Sequence, residues 1–134
     1  MKITAAIGCA ALLVMACGNA RAAKWVSLGK SVDQNQEIFV DSSSIRIDGN
    51  IRRAWFKTQY AKHSRRDDSG KELSHTLARW AFRCQEKVTP DESLTLYYAD
   101  GSNEGGPSPT QDWNPVVPDT FLSISLTLIC DVDS

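Results

Sequence analysis

The side chains with the most chemistry to offer in this 134-residue chain are its four cysteines and two histidines. A thiol can be a nucleophile, a metal ligand or half of a disulfide, and the compartment it occupies decides which. Cys84 closes the run RWAFRC and Cys130 closes TFLSISLTLIC, while Cys9 and Cys17 lie close to the N-terminus. The histidines, His63 and His75, stand in or beside the polar stretch KHSRRDDSGKE at residues 62–72, without metal-ligand spacing. Asp67 and Asp68 could join His63 around a cation, but adjacent carboxylates in a polar loop are ordinarily just solvated. There is no G-x-S-x-G, no paired active-site cysteine and no phosphate-cradling glycine loop. The expectation is a protein with no catalytic residue, no metal and no cofactor.

The compartment is read from MKITAAIGCAALLVMACGNARAAKW, in which Lys2 precedes an apolar stretch from Ile3 to Met15 and a tail of small residues. Residues 1–22 read as a secretory signal peptide. Two exits compete. Ala20-Arg21-Ala22 is an A-x-A site that starts the mature chain at Ala23, whereas Val14-Met15-Ala16-Cys17 is similar to a lipobox that would lipidate Cys17. Met15 is bulky for a lipobox, which favours plain cleavage. On either route only Cys84 and Cys130 remain in the folded part, and in an oxidising space two lone cysteines most simply pair. Closing a loop of about 46 residues should stabilise the fold by roughly 4 kcal/mol on the chain-entropy model.

Residues 23–134 are the length of one domain with a modest core. Taking Lys2 and Arg21 from the 15 basic residues leaves 13 against 16 acidic ones, a net charge of −3. That balance implies no nucleic-acid partner. The basic residues are nonetheless unevenly placed, with Arg52, Arg53, Lys57, Lys62, Arg65 and Arg66 crowding one stretch. They make a candidate surface for acidic partners such as sulfated glycans, with Lys62, Arg65, Arg66, Arg53 and Lys57 as its residues. The plainer alternative is a solvated loop in which Asp67 and Asp68 neutralise Arg65 and Arg66.

These residues are positioned by short alternating runs. KWVSLG at 24–29 and EIFVD at 37–41 read as two strands, followed by Ser44 to Ile47, then Asp48-Gly49-Asn50 as a hairpin turn into the long run 51–61. In that run Ala54, Phe56, Thr58 and Tyr60 share one face, and Arg53, Trp55, Lys57 and Gln59 the other. In SHTLARWAFRC at 74–84, Thr76, Ala78, Trp80, Phe82 and Cys84 share a face, which points Cys84 toward the core. A turn is expected at Val88-Thr89-Pro90-Asp91, a strand at 94–98, and a flexible Gly/Pro/Ser-rich loop at 100–112. Trp80 reads as core and Trp113 as packing the long loop onto the sheet. The last segment is ambiguous. Leu122, Ile124, Leu126 and Leu128 alternate as in a strand, yet Pro118-Asp119 is a fair helix start, and Phe121, Leu122, Ser125, Leu126 and Ile129 form a helical face. Periodicity leans to strand.

The ordered landmarks W-V-x-L-G, F-V-D-x-x-S-I, D-G-N before A-W-F, W-A-F-R-C, Y-Y-A-D-G and W-N-P-V-V-P-D-T, then an apolar run ending in Cys130, resemble the surface-adhesin protein E family across the mature chain. The resemblance implies an α+β fold: a curved antiparallel sheet of about six strands with a C-terminal helix on its concave face, tethered by a Cys84–Cys130 disulfide. An all-β fold with a terminal strand is the alternative. It also implies a non-enzymatic binding module, possible attachment to host matrix or serum proteins of the vitronectin, laminin and plasminogen type, a homodimer, and an exported, periplasmic or outer-membrane location. A soluble periplasmic structural or accessory protein with no host ligand is the competing reading. The face opposite Cys84, with Trp55, Leu77 and Ala81 among Arg53, Lys57, Arg79 and Arg83, or its edge strand, is the expected dimer surface.

Overall fold

A computed structural model of the chain describes residues 22–107 and 112–132. The expected signal peptide, apart from Ala22, and the possible lipidation site Cys17 lie outside the described residues. Nine strands form one sheet: β1 (Trp25–Lys30), β2 (Gln36–Asp41), β3 (Arg46–Asp48), β4 (Ile51–Tyr60), β5 (Leu73–Arg83), β6 (Val88–Thr89), β7 (Asp91–Tyr98), β8 (Asn103–Pro107) and β9 (Asn114–Pro115). Among the described residues one α-helix, α1 (Phe121–Cys130), follows them. Six strands of five residues or more run β1-β2-β4-β5-β7-β8, all antiparallel, and the three short ones add to their ends. The architecture is α+β, as the family resemblance implies. Among the described residues, no helix is long and apolar enough to cross a membrane.

Pairing follows the side-chain alternation. Ala54 opposes Trp80 and Phe56 opposes Ala78, so the apolar residues of β4 and β5 stack on one face. Phe56 lies 4.7 Å from the Trp80 ring and 6.1 Å from that of Phe82. Ala54, Phe56 and Phe82 form the core together with Leu126 and Ile129 of α1, with Leu28, Val40, Ile45 and Leu122 around them. A two-residue turn at Gly49-Asn50 joins β3 to β4, with Gly49 at φ 56, as the Asp-Gly-Asn signal requires. The Asn50 side chain then accepts a hydrogen bond from the Gln85 backbone N–H at 2.8 Å, and its carbonyl accepts from that of Cys84 at 3.0 Å.

The C-terminal segment is a helix, against the strand that periodicity favours. Thr120 Oγ1 accepts from the Ser123 N–H, and Ser123 Oγ accepts from the Thr120 N–H at 3.0 Å, a reciprocal cap that satisfies two helix-end donors. Ser125, Leu126 and Ile129 face the sheet, while Ile124 and Leu128 face outward. The segment fits a strand's alternation and also presents a helical face, so the cap and the available sheet face decide. The Cys84–Cys130 disulfide, with Cα atoms 5.7 Å apart, ties the end of α1 to the end of β5.

Two other expectations change. The turn after β5 falls at 84–87, leaving Val88 to pair with Arg83, and β7 begins at Asp91. Part of the supposed loop at 100–112 is strand β8, paired with β7 from Ser93↔Pro107 to Tyr97↔Asn103. Gly105 explains why so glycine-rich a run can pair. A Cβ there would sit 2.3 Å from the Leu94 carbonyl oxygen, so only glycine allows this approach.

Candidate binding surfaces

The five basic residues singled out from sequence fall into two groups that the fold separates. Lys62, Arg65 and Arg66 lie in the connection between β4 and β5 and are exposed. Arg53 and Lys57 lie on β4, on the sheet face turned away from α1. Arg52, one residue earlier, points the other way and donates from Nη1 to the carbonyl of Val132, just beyond the helix.

The connection is built around Asp67 rather than loosely solvated. Its Oδ1 accepts hydrogen bonds from the backbone N–H groups of Ser69 and Lys71, both at 2.9 Å, and from Ser69 Oγ at 2.6 Å. Its Oδ2 accepts from the Tyr98 hydroxyl of β7 at 2.9 Å. The Ser69 hydroxyl, the Lys71 N–H and the Tyr98 hydroxyl favour the ionised carboxylate and hold its pKa down at about 2. The same contact, led by the Asp67 hydrogen bond, pushes the Tyr98 phenol up to about 12. Arg66 donates to the Gly70 carbonyl at 2.8 Å, and His63 Nδ1 lies 2.9 Å from Glu72. Asp67 is therefore turned toward Tyr98. Among the described residues, no carboxylate comes within 4.0 Å of Lys62, Arg65 or Arg66.

On the bare sheet face, Arg53 Nε lies 2.8 Å from Glu92, and Arg79 lies 3.4 Å from the same carboxylate. Lys57 Nζ sits over two rings, 4.7 Å from the Trp25 centroid and 5.0 Å from that of Phe39. His75 is part of β5, not of the loop, and stacks on Tyr97 with centroids 4.4 Å apart. Partial burial, then the nearby Lys57 charge, lower its pKa. Trp113 lies beneath the Arg83 guanidinium at 4.1 Å, so its partner is a cation at the end of β5. Among the described residues, no group of three or more His, Cys, Asp or Glu side chains is arranged to hold a metal.

The surface expected to bury a second copy is not apolar. Ala81 is fully buried and Leu77 half-buried, which leaves Trp55 as the exposed large hydrophobic residue of that face. Exposed apolar side chains gather instead where the end of α1 meets edge strand β1: Val26, Leu128 and Val132. An apolar groove of about 180 Å³ runs between the two elements, lined in part by Val26, Leu28, Ile45, Leu128 and Val132. Sequence reasoning did not identify it, because its lining joins residues as far apart in sequence as Val26 and Val132. Glu92 and Tyr98, which organise the two basic groups, were also missed, since each acts on residues at least 13 positions away in sequence.

No curated protein matches the chain. Its fold is similar to that of Haemophilus influenzae protein E, at 19% identity and a TM-score of 0.53 over 79% of this chain and 83% of the other. The selenomethionine form of that protein matches at 16% identity and 0.51, over 79% and 84%. Its crystal form II matches at 16% and 0.50, over 79% and 86%. The family model described as surface-adhesin protein E matches residues 25–131, nearly all of the described sheet and helix, and the chain belongs to that family.

Proposed function

We propose that this adhesin-type surface protein is an exported, non-enzymatic module that binds host matrix or serum proteins through the loop between β4 and β5. The observation that carries the proposal is that, among the described residues, no carboxylate lies within 4.0 Å of the exposed Lys62, Arg65 and Arg66, while Asp67 is committed to Tyr98. On a protein of negative net charge, three cations on one ordered loop make a local positive field that attracts acidic segments. Partners of the vitronectin, laminin and plasminogen type fit this chemistry, and sulfated glycans share it. The carrier is either lipidated at Cys17 or released by cleavage before Ala23.

A homodimer belongs to the same proposal, placed where α1 meets β1, because Val26, Leu128 and Val132 leave apolar surface there that a second copy would cover. The deciding experiment changes Lys62, Arg65 and Arg66 together to Ser and measures binding to immobilised matrix proteins at low salt. Weaker binding with an unchanged melting temperature is the expected result. Binding equal to the parent's removes the loop as the site.

A further inference from the structure

The sheet face turned away from α1 holds cations in a different way from the loop. Lys57 is on central strand β4, with its ammonium over the rings of Trp25 from β1 and Phe39 from β2. Among the described residues, no carboxylate lies within 4.0 Å of it. The nearby acids are already engaged: Glu37 with Lys30 and Ser27, and Glu92 with Arg53 and Arg79. Two residues along β4, Trp55 is 38% exposed, with Arg79 as its cross-strand neighbour. A large aromatic ring and a cation without an anionic partner therefore stand up side by side from the same strand.

We infer that this face binds an acidic polysaccharide, with Trp55 stacking on a pyranose ring and Lys57 pairing with a carboxylate of the chain. The inference rests on the proposed reading of the protein as a non-catalytic binding module. A peptide adds to a sheet edge or fills side-chain pockets. Trp55, Lys57 and Arg79 stand on interior strands, since β4 is paired with β2 and β5 on its two sides and β5 with β4 and β7, so they offer no free strand edge. A ligand that itself presents ring faces and regularly spaced anions fits a flat surface of rings and cations. Arg79 extends the anion contact by one strand, because its hold on Glu92, at 3.4 Å, is longer than that of Arg53 at 2.8 Å.

The test titrates the folded protein with a hyaluronan decasaccharide, which carries one carboxylate per disaccharide and no sulfate. A second arm uses the acidic core oligosaccharide of lipopolysaccharide, to tell a host source from an envelope source. Tryptophan fluorescence and calorimetry report binding. Saturable binding to either probe is expected, weakened about tenfold or more by Trp55→Ala and by Lys57→Gln and unaffected by the triple loop variant. Trp55 is exposed and Lys57 half-buried, so both variants are expected to fold, and an unchanged melting temperature checks it. Absence of binding to both probes, or equal binding by parent and both variants, overturns the inference. So does a dimer that Trp55→Ala dissociates, since a second copy would then occupy the face. Matrix-protein binding measured on the same samples keeps the two readings apart. If it persists without oligosaccharide binding, the proposed function stands and this inference falls.

Discussion

The two faces of strand β4 are made of neighbouring residues and hold together by different physics. Phe56 points under α1 and is 1% exposed, packed on Trp80 and Phe82. Trp55, one residue earlier, points away and is 38% exposed, among cations. One face is stabilised by apolar burial, which is large and indifferent to salt; the other by exposed charge and ring contacts, which are small and screened. The difference teaches where this domain is free to vary. The helix-side face determines whether the sheet folds, and the bare face can be rebuilt at little cost in stability.

The largest effect should therefore separate two adjacent residues. Phe56→Ala removes a fully buried ring and should destabilise by about 3–5 kcal/mol, whereas Trp55→Ala should cost about 1 kcal/mol or less. Chemical denaturation of both variants measures the contrast. Similar losses would mean that the bare face is covered in the folded protein and that the comparison between faces fails.

Next comes the covalent tie across the helix-side face. Cys84→Ala opens the loop to Cys130, and the expected loss is about 2–5 kcal/mol. The parent treated with reductant should lose the same amount, which separates the tie from the packing of the side chain. If non-reducing peptide mapping of exported protein found both thiols free, this prediction would have no basis.

A smaller effect concerns the start of α1. Thr120→Ala removes the acceptor for the Ser123 N–H and should cost about 1 kcal/mol. Backbone hydrogen exchange should rise first in residues 121–124, while protection in β4 and β5 is kept. Equal loss in the sheet would show that the helix and its underlying face form one cooperative unit.

Much of the helix-side face was legible in sequence because β4 and β5 are long, strictly alternating and joined to their neighbours by recognisable turns. The Gly49-Asn50 turn sets which face Phe56 takes, and the paired register carries that choice to Trp80 and Phe82. The pairing of Cys84 with Cys130 was legible for another reason, since the signal-peptide reading leaves two cysteines and one way to join them. What was not legible lies where local pattern carries no information. TFLSISLTLIC fits a strand's alternation and a helical face alike, so its helix depends on the Thr120–Ser123 cap and on the face waiting for it. Strand β8 hides in a glycine-rich run because Gly105 is needed by a contact with Leu94, not by a turn. The basic loop looked neutralised because Asp67 and Asp68 follow Arg65 and Arg66, and only the fold brings Tyr98 close enough to take the Asp67 carboxylate.

That last contact gives the smallest predicted effect, and pH reads it from both ends. Asp67 is held at about 2, below the ordinary carboxylate value of 3.8, so its contribution to stability is complete above about pH 4 and is lost as pH falls to about 2. Tyr98 is raised from 10.0 to about 12, so the contribution of its neutral hydroxyl is complete below pH 10 and is lost as pH rises toward about 12. Asp67→Asn cannot titrate, and its melting temperature should fall less steeply than the parent's between pH 4 and 2. Tyr98→Phe should flatten the alkaline window and also soften the acid one, because the phenol is one of four donors that hold the carboxylate ionised. Tyr98 is buried and Asp67 half-buried beside an exposed loop, where solvent screens the contact, so the evidence lies in the shape of the two pH profiles. If both variants kept the parent's slope in both windows, the loop would be held by its backbone turns alone. The exposure of Lys62, Arg65 and Arg66 would then owe nothing to where Asp67 points.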